Sequence, residues 1–348
     1  MNLLHGVGDF FSLDIGTNSM RIVQLSGGSQ HGWSLQNYSY IATSPQLTQD
    51  SSEAGRARLG EAIIGAVNQA GIKTKNMALG IPADKSYTSI VETDTLPEKE
   101  LAKSFKYELD KYVPMPLSEA KADYIVLGPS PNDPSKSEVL VSSVSKEYAE
   151  STMEVIEKVG FNIIAMEPEP LAMARALNIP GSATANMIVD FGEGSTDIVI
   201  MYKDQPRLVR SIPGGIGVLI KAVANGLNVR EDQARQFILK FGLDQTQVEG
   251  QVFKTLNMHL EGYAAELTKS VRFFQTKYLG ASVGGIILSN YASVIPLFLE
   301  YIEAKTGISA MRGDPWQFVR TSTKQQKDLA GVSSEFAVVI GLSERSND

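Results

Sequence analysis

Leu13-Asp14-Ile15-Gly16-Thr17-Asn18-Ser19-Met20-Arg21-Ile22-Val23 returns 176 positions later (14 to 190) as Val189-Asp190-Phe191-Gly192-Glu193-Gly194-Ser195-Thr196-Asp197-Ile198-Val199. Asp, Gly, Ser, Ile and Val coincide, and apolar residues flank the Asp in both copies. Each copy reads as a β-hairpin: apolar strand residues run into a glycine turn, then apolar residues resume. A repeat spaced by half of a 348-residue chain predicts two homologous lobes, each opening with a strand–turn–strand.

Turns of this kind suit phosphate. A triphosphate with Mg²⁺ needs backbone N–H donors at close range, so the loop must carry Gly where a Cβ would obstruct the approach. Mg²⁺ keeps several waters and takes few protein ligands, so a carboxylate near its water shell suffices. Asp14 to Ser19 offers one such loop; Asp190 to Thr196 offers the other, with hydroxyls at Ser195 and Thr196. One Asp-x-Gly alone reads as a structural turn. Two copies half a chain apart predict a phosphate cleft shared by the lobes, with two plain hairpins as the alternative.

Composition bounds the rest. The 39 acidic against 32 basic residues give a net charge of −7, which repels phosphate backbones, and no basic patch argues for nucleic acid. Without cysteine there are no disulfides, thiol nucleophiles or thiolate metal sites. His5, His31 and His259 have no ligand spacing. Met1 to Phe11 lacks a secretory pattern, and the apolar stretch Val283 to Tyr301 is split by Ser289-Asn290, so a soluble protein without membrane insertion is expected.

Along the chain, Leu35 to Ile41 reads as a third strand, residues 56–70 as a helix stopped by Gly71, and Met77 to Ile81 as a buried strand. Thr95 and Glu98 have the form of a capping box for a helix reaching Tyr112. Strands Asp123 to Leu127 and Glu138 to Val144 follow, then a helix capped by Ser145 and ended by Gly160. This predicts an α-β-β-α insert. In the second half Asn228 with Glu231 reads as a capping box for a helix ending near Gly242. Phe253 to Tyr278 reads as a long helix, and Phe336 to Leu342 as a final strand.

The two turns and their spacing resemble the actin-like ATPase superfamily. Within it the chain is similar to the PilM family of type IV pilus assembly proteins. Phe11 to Leu25, Leu96 to Pro116 and, most specifically, Tyr148 to Leu177 joined to Met187 to Ile200 carry that resemblance. It implies an α/β, two-lobed actin-like fold of duplicated RNase H-like domains with an insert of the kind found in FtsA. The expected division is a first lobe of 1–90, 166–186 and 331–348 with an insert at 91–165. A second lobe of 187–215 and 279–330 would carry a helical insert at 216–278. FtsA typically ends in an amphipathic membrane-targeting helix, whereas Gly341 to Asp348 is polar, which favours the pilus reading.

The resemblance also implies roles. Gly16, Thr17, Asn18, Ser19, Gly192, Glu193, Gly194, Ser195 and Thr196 would contact phosphates of ATP, with Gly214, Gly215, Ser289 and Asn290 beside the nucleotide. Asp14 and Asp190 would sit near Mg²⁺ through water. Glu167 or Glu169 is the candidate for positioning an attacking water, against the plainer reading of a helix-entry carboxylate. The family's Glu-x-x-Lys pair for the nucleoside is replaced by Arg235 and Ile238, and its Gly-rich adenosine loop by Ser289-Asn290-Tyr291-Ala292-Ser293. The phosphate half is kept and the nucleoside half altered, so little turnover is expected. The leading expectation is a cytoplasmic scaffold binding the cytoplasmic tail of a PilN-like inner-membrane protein and, through it, other pilus platform components. A homodimer stays open. The rivals are an FtsA-like polymer former and an ATPase or sugar-kinase-like phosphotransferase.

Overall fold

The first copy of the repeat forms two strands, β1 (Phe11–Ile15) and β2 (Ser19–Gly28), paired antiparallel so that Asp14 faces Arg21 and Ile15 faces Met20. β3 (Gly32–Ala42) continues antiparallel on β2, while β4 (Asn76–Ile81) runs parallel to β1. The computed structural model describes residues 9–28, 32–97, 100, 101, 103, 105 and 108–345. It divides into a first unit, Met1–Ala176 with Trp316–Leu329 and Val338–Asp348, and a second, Leu177–Pro315 with Ala330–Ala337.

β1 is central, and both of its faces are covered. Phe11 and Leu13 pack with Ile63, Ala66 and Val67 of the helix Glu53–Ala70; each such side chain stabilises by about 1.5–3 kcal/mol when fully buried. That helix starts where the Ser52 hydroxyl accepts from the Gly55 amide at 3.0 Å and stops at Gly71, which is left-handed (φ 72°). On the other face Ser12 accepts from the Ser343 hydroxyl at 2.9 Å. Ser343 ends a helix, Ala337–Ser343, where the sequence suggests a strand. The reason is packing: a Cβ on Gly341 would overlap the Ala172 carbonyl, so this turn lies directly on the helix Glu169–Leu177.

The insert holds three strands where the sequence suggests two. β5 (Ser86–Asp94), β6 (Ala120–Pro129) and β7 (Lys136–Ser145) form an antiparallel sheet ordered β5-β7-β6. β5 is half-buried and rich in Ser and Thr, so its alternation is faint. Leu101, Phe105, Leu109 and Val113, four residues apart, pack on Val139 and Val141 of β7. The Thr95 hydroxyl lies 3.0 Å from that of Ser137, and Glu98 falls outside the described residues. Ser145 caps the helix Lys146–Lys158 through the Tyr148 amide at 3.4 Å, and β8 (Asn162–Pro168) returns parallel to β4.

The second unit repeats this plan. β9 (Ala185–Phe191), β10 (Ser195–Tyr202), β11 (Gln205–Pro213), β12 (Val283–Asn290) and β13 (Ala310–Arg312) are ordered β11-β10-β9-β12-β13. In the first unit β3-β2-β1-β4-β8 has the same sequence of two antiparallel and two parallel pairings. The duplication read from eleven residues thus extends over five strands. A helical layer covers one face: Leu256, Leu260, Leu267, Val271 and Phe274 of Gln251–Lys277 join Met187, Val189 and Ile198 in one core. Asn228 is not an N-cap; it ends Ile216–Leu227 in the left-handed conformation (φ 52°), and Arg230 opens Glu231–Phe241 instead. Among the described residues no helix is long and apolar enough to cross a membrane.

Candidate functional site

In the first unit the turn closes with the Gly16 amide donating to the Ser19 carbonyl at 2.9 Å. The Asn18 carbonyl accepts from the Thr43 amide at 2.9 Å, and that of Thr17 from the Thr48 hydroxyl at 3.3 Å. The carboxylate beneath the turn is not presented to solvent. Asp14 is 1% exposed, and Arg21, 8% exposed, donates to its Oδ2 at 2.6 Å and to the Ser19 hydroxyl at 2.6 Å. A hydrated cation does not fit where a guanidinium already holds the carboxylate, so the expected Mg²⁺ role of Asp14 lacks support. Arg21 escaped the sequence reading, although an arginine between buried Met20 and Ile22, opposite an aspartate, was its signal.

The second turn is built differently. The Gly192 amide donates to the Ser195 carbonyl at 3.0 Å, matching the first turn, but the turn is also clamped from outside. The amides of Gly214, Ile216 and Gly217 donate to the carbonyls of Gly194, Gly192 and Glu193 at 2.9, 2.9 and 3.0 Å. This approach needs glycine: a Cβ on Gly215 would overlap the Gly192 carbonyl, and Gly214 has φ +100°. Gly214 and Gly215 therefore lie beside the turn. The Thr196 hydroxyl faces inward and donates to the Gly214 carbonyl at 2.9 Å, so it fixes the clamp. Asp190 is half-buried and pairs across the ladder with Asp197. Among the described residues no three His, Cys, Asp or Glu gather to hold a metal.

β12 brings Ser289 opposite Asp190 and Asn290 opposite Phe191. Ser289 is buried and its hydroxyl donates to the Ser334 carbonyl at 3.3 Å. Asn290 adopts φ 57°, ψ −133°, a backbone that glycine adopts freely, so the turn keeps its shape without its glycine. Next to it Tyr291 meets Arg235, which donates to the Tyr291 hydroxyl at 3.1 Å and to Glu193 Oε1 at 2.6 Å. Burial and the Glu193 charge, opposed by Arg235, push the Tyr291 hydroxyl up to about 12. Ile238, the other altered position, is fully buried in the core.

The carboxylates of the connector lie in the first unit. Glu167 is 7% exposed and accepts from Arg175 at 2.5 and 3.1 Å and from Arg345 at 3.0 Å. Burial raises its proton affinity, but the two guanidiniums outweigh this and hold its carboxyl below the usual range. Glu169 lies near Tyr148, whose hydroxyl is pushed up to about 12 by burial and then by the Glu169 charge. Neighbouring Glu344 carries the opposite shift: burial pushes its carboxyl up to about 8 against the pull of Arg175.

A model of the family described as "Type IV pilus assembly protein PilM" matches residues 12–347. The chain belongs to the PilM family. A solved structure described as the PilM-PilN type IV pilus biogenesis complex is similar at 20% identity and TM-score 0.82, over 98% of this chain and 99% of that one. The ethanolamine utilization protein EutJ from Carboxydothermus hydrogenoformans is similar at 13% identity and TM-score 0.55, over 97% and 90%. MreB 5 of Spiroplasma citri, solved bound to AMPPNP, is similar at 11% identity and TM-score 0.54, over 96% and 95%. The fold is that of the actin-like ATPases.

Proposed function

We propose that the chain is a cytoplasmic scaffold of type IV pilus assembly that holds the cytoplasmic tail of a PilN-like inner-membrane protein. The observation that carries this reading is the family match over residues 12–347, joined to the likeness, TM-score 0.82, to a PilM solved in complex with PilN. The tail would bring the protein to the membrane, since no described helix is suited to cross it. The insert offers a place for an extended segment: β5 and β6 are sheet edges, and Ile125 and Val126 are exposed on β6.

The first turn's Gly16, Thr17, Asn18 and Ser19 and the second's Gly192, Glu193, Gly194 and Ser195 are proposed as phosphate contacts, with Asp190 near the metal. Phosphate would act here as a ligand rather than as a group to be cleaved. The commitment of Glu167 to Arg175 and Arg345 supports a scaffold over an ATPase, because a residue held by two guanidiniums cannot accept a proton from water near neutral pH.

The test is calorimetric titration with a peptide of the partner's cytoplasmic tail, taken from the same organism. Saturable binding tighter than about 100 μM, roughly −5.5 kcal/mol, is expected. No binding at that concentration overturns the reading.

A further inference from the structure

Three separate elements of the second unit converge on one side chain. Arg235, from the helix Glu231–Phe241, donates to Glu193 of the glycine turn at 2.6 Å and to the Tyr291 hydroxyl, just past β12, at 3.1 Å. Its guanidinium carbon also lies over the Tyr291 ring, 5.7 Å from the centroid. The cluster is partly shielded, with the Arg235 and Glu193 side chains 30% and 19% exposed. At its edge the Asn290 backbone keeps a conformation costly to any residue but glycine, and the Glu193 Oε2 and Asn290 Oδ1 atoms are buried without a hydrogen-bond partner among the described residues. A strained backbone next to lone buried acceptors marks a site shaped for something the chain now fills only in part.

The clamp fixes which way a ligand must extend. Gly214, Ile216 and Gly217 close one side of the second turn with three amide bonds. A phosphate seated on the turn beyond Gly192, whose own amide is taken by the Ser195 carbonyl, would have to carry the remainder of its molecule past Glu193. That is the direction in which Arg235 and Tyr291 stand. We propose that Arg235 and Tyr291 are an internal plug: they join the turn, the helix and the end of β12 as the organic part of a nucleotide would, and so exclude it. The second unit then keeps its arrangement with no nucleoside bound, and what remains at the turn is a place for a phosphate group alone. This goes beyond the scaffold reading and is independent of it, since tail capture succeeds or fails whatever ATP does.

The experiment is titration of the full chain with Mg·ATP by calorimetry, paired with thermal melts, for the wild type and Arg235→Ala. The plug predicts no saturable heat for the wild type at millimolar ATP. Arg235→Ala should melt lower than the wild type without ligand and bind ATP at least about tenfold more tightly. Should the alanine variant melt too early to titrate, Arg235→Lys, which keeps the charge but cannot serve both partners, is read in the same way. Micromolar binding by the wild type overturns the proposal, and so does a folded variant that gains no affinity.

Discussion

The two hairpins share a register and differ in what settles their charge. In the first, Asp14 faces Arg21; in the second, the matching positions are Asp190 and Asp197. The first turn is neutralised from within, by an ion pair 2.6 Å long inside the sheet. In the second, aspartates face each other across the ladder. It is held instead from outside, by the Gly214–Gly215 clamp and by Arg235 reaching Glu193. One turn is tied to the strand beneath it, and the other to the segment that packs against it.

Breaking the comparison is practical because both tryptophans, Trp33 and Trp316, belong to the first unit. Their fluorescence reports that unit, while far-ultraviolet circular dichroism reports both. The largest effect is expected from Arg21→Ala, which strands a carboxylate that is 1% exposed and should cost about 3–5 kcal/mol. The loss should appear as an earlier tryptophan transition; an unchanged one would show that the pair does not hold the first hairpin.

Next, Gly215→Ala should cost roughly 3 kcal/mol by forcing the clamp off the Gly192 carbonyl. The same change at Gly16 meets Arg21 and Ser19 at 3.1 Å, where an arginine end can move, and should cost about 1 kcal/mol. Dichroism without a matching tryptophan shift identifies the former; equal losses would erase the difference between the turns.

The smallest effect separates the units by pH. Glu344 of the first unit has its carboxyl raised from 4.5 to about 8 by burial. The folded chain therefore holds a proton that the unfolded chain releases, so stability is full below pH 4.5 and falls as pH rises toward 8. Glu344→Gln should flatten this slope and raise stability at pH 8 in the tryptophan signal. A slope that survives the substitution assigns it to another group.

Much of this was legible in the sequence because hairpins are local. Asp14, Gly16, Asp190 and Gly192 sit where the repeat puts them, and Gly71 and Ser145 stop or cap helices through neighbours a few residues away. What was hidden depends on distance. The Arg235–Glu193 and Arg345–Glu167 pairs span 42 and 178 residues, and no periodicity announces them. Ala337–Ser343 reads as a strand from its β-branched residues, and only its fit against Ala172 makes it helical. Asn228 was misread for a related reason: the same residue type caps either end of a helix.

Ser343 meets Ser12 on one face of β1, while Gly341 packs on Ala172 and Arg345 reaches Glu167 at the end of β8. The Ser12–Ser343 contact thus joins a hairpin to residues made 331 positions later. During synthesis the second unit's strands, complete by Arg312, emerge before the first unit can cover its own sheet. For that interval β1 and β4 wait with one apolar-flanked surface open, which gives a chaperone a reason to attend the nascent chain and a mistranslated tail an outsized effect.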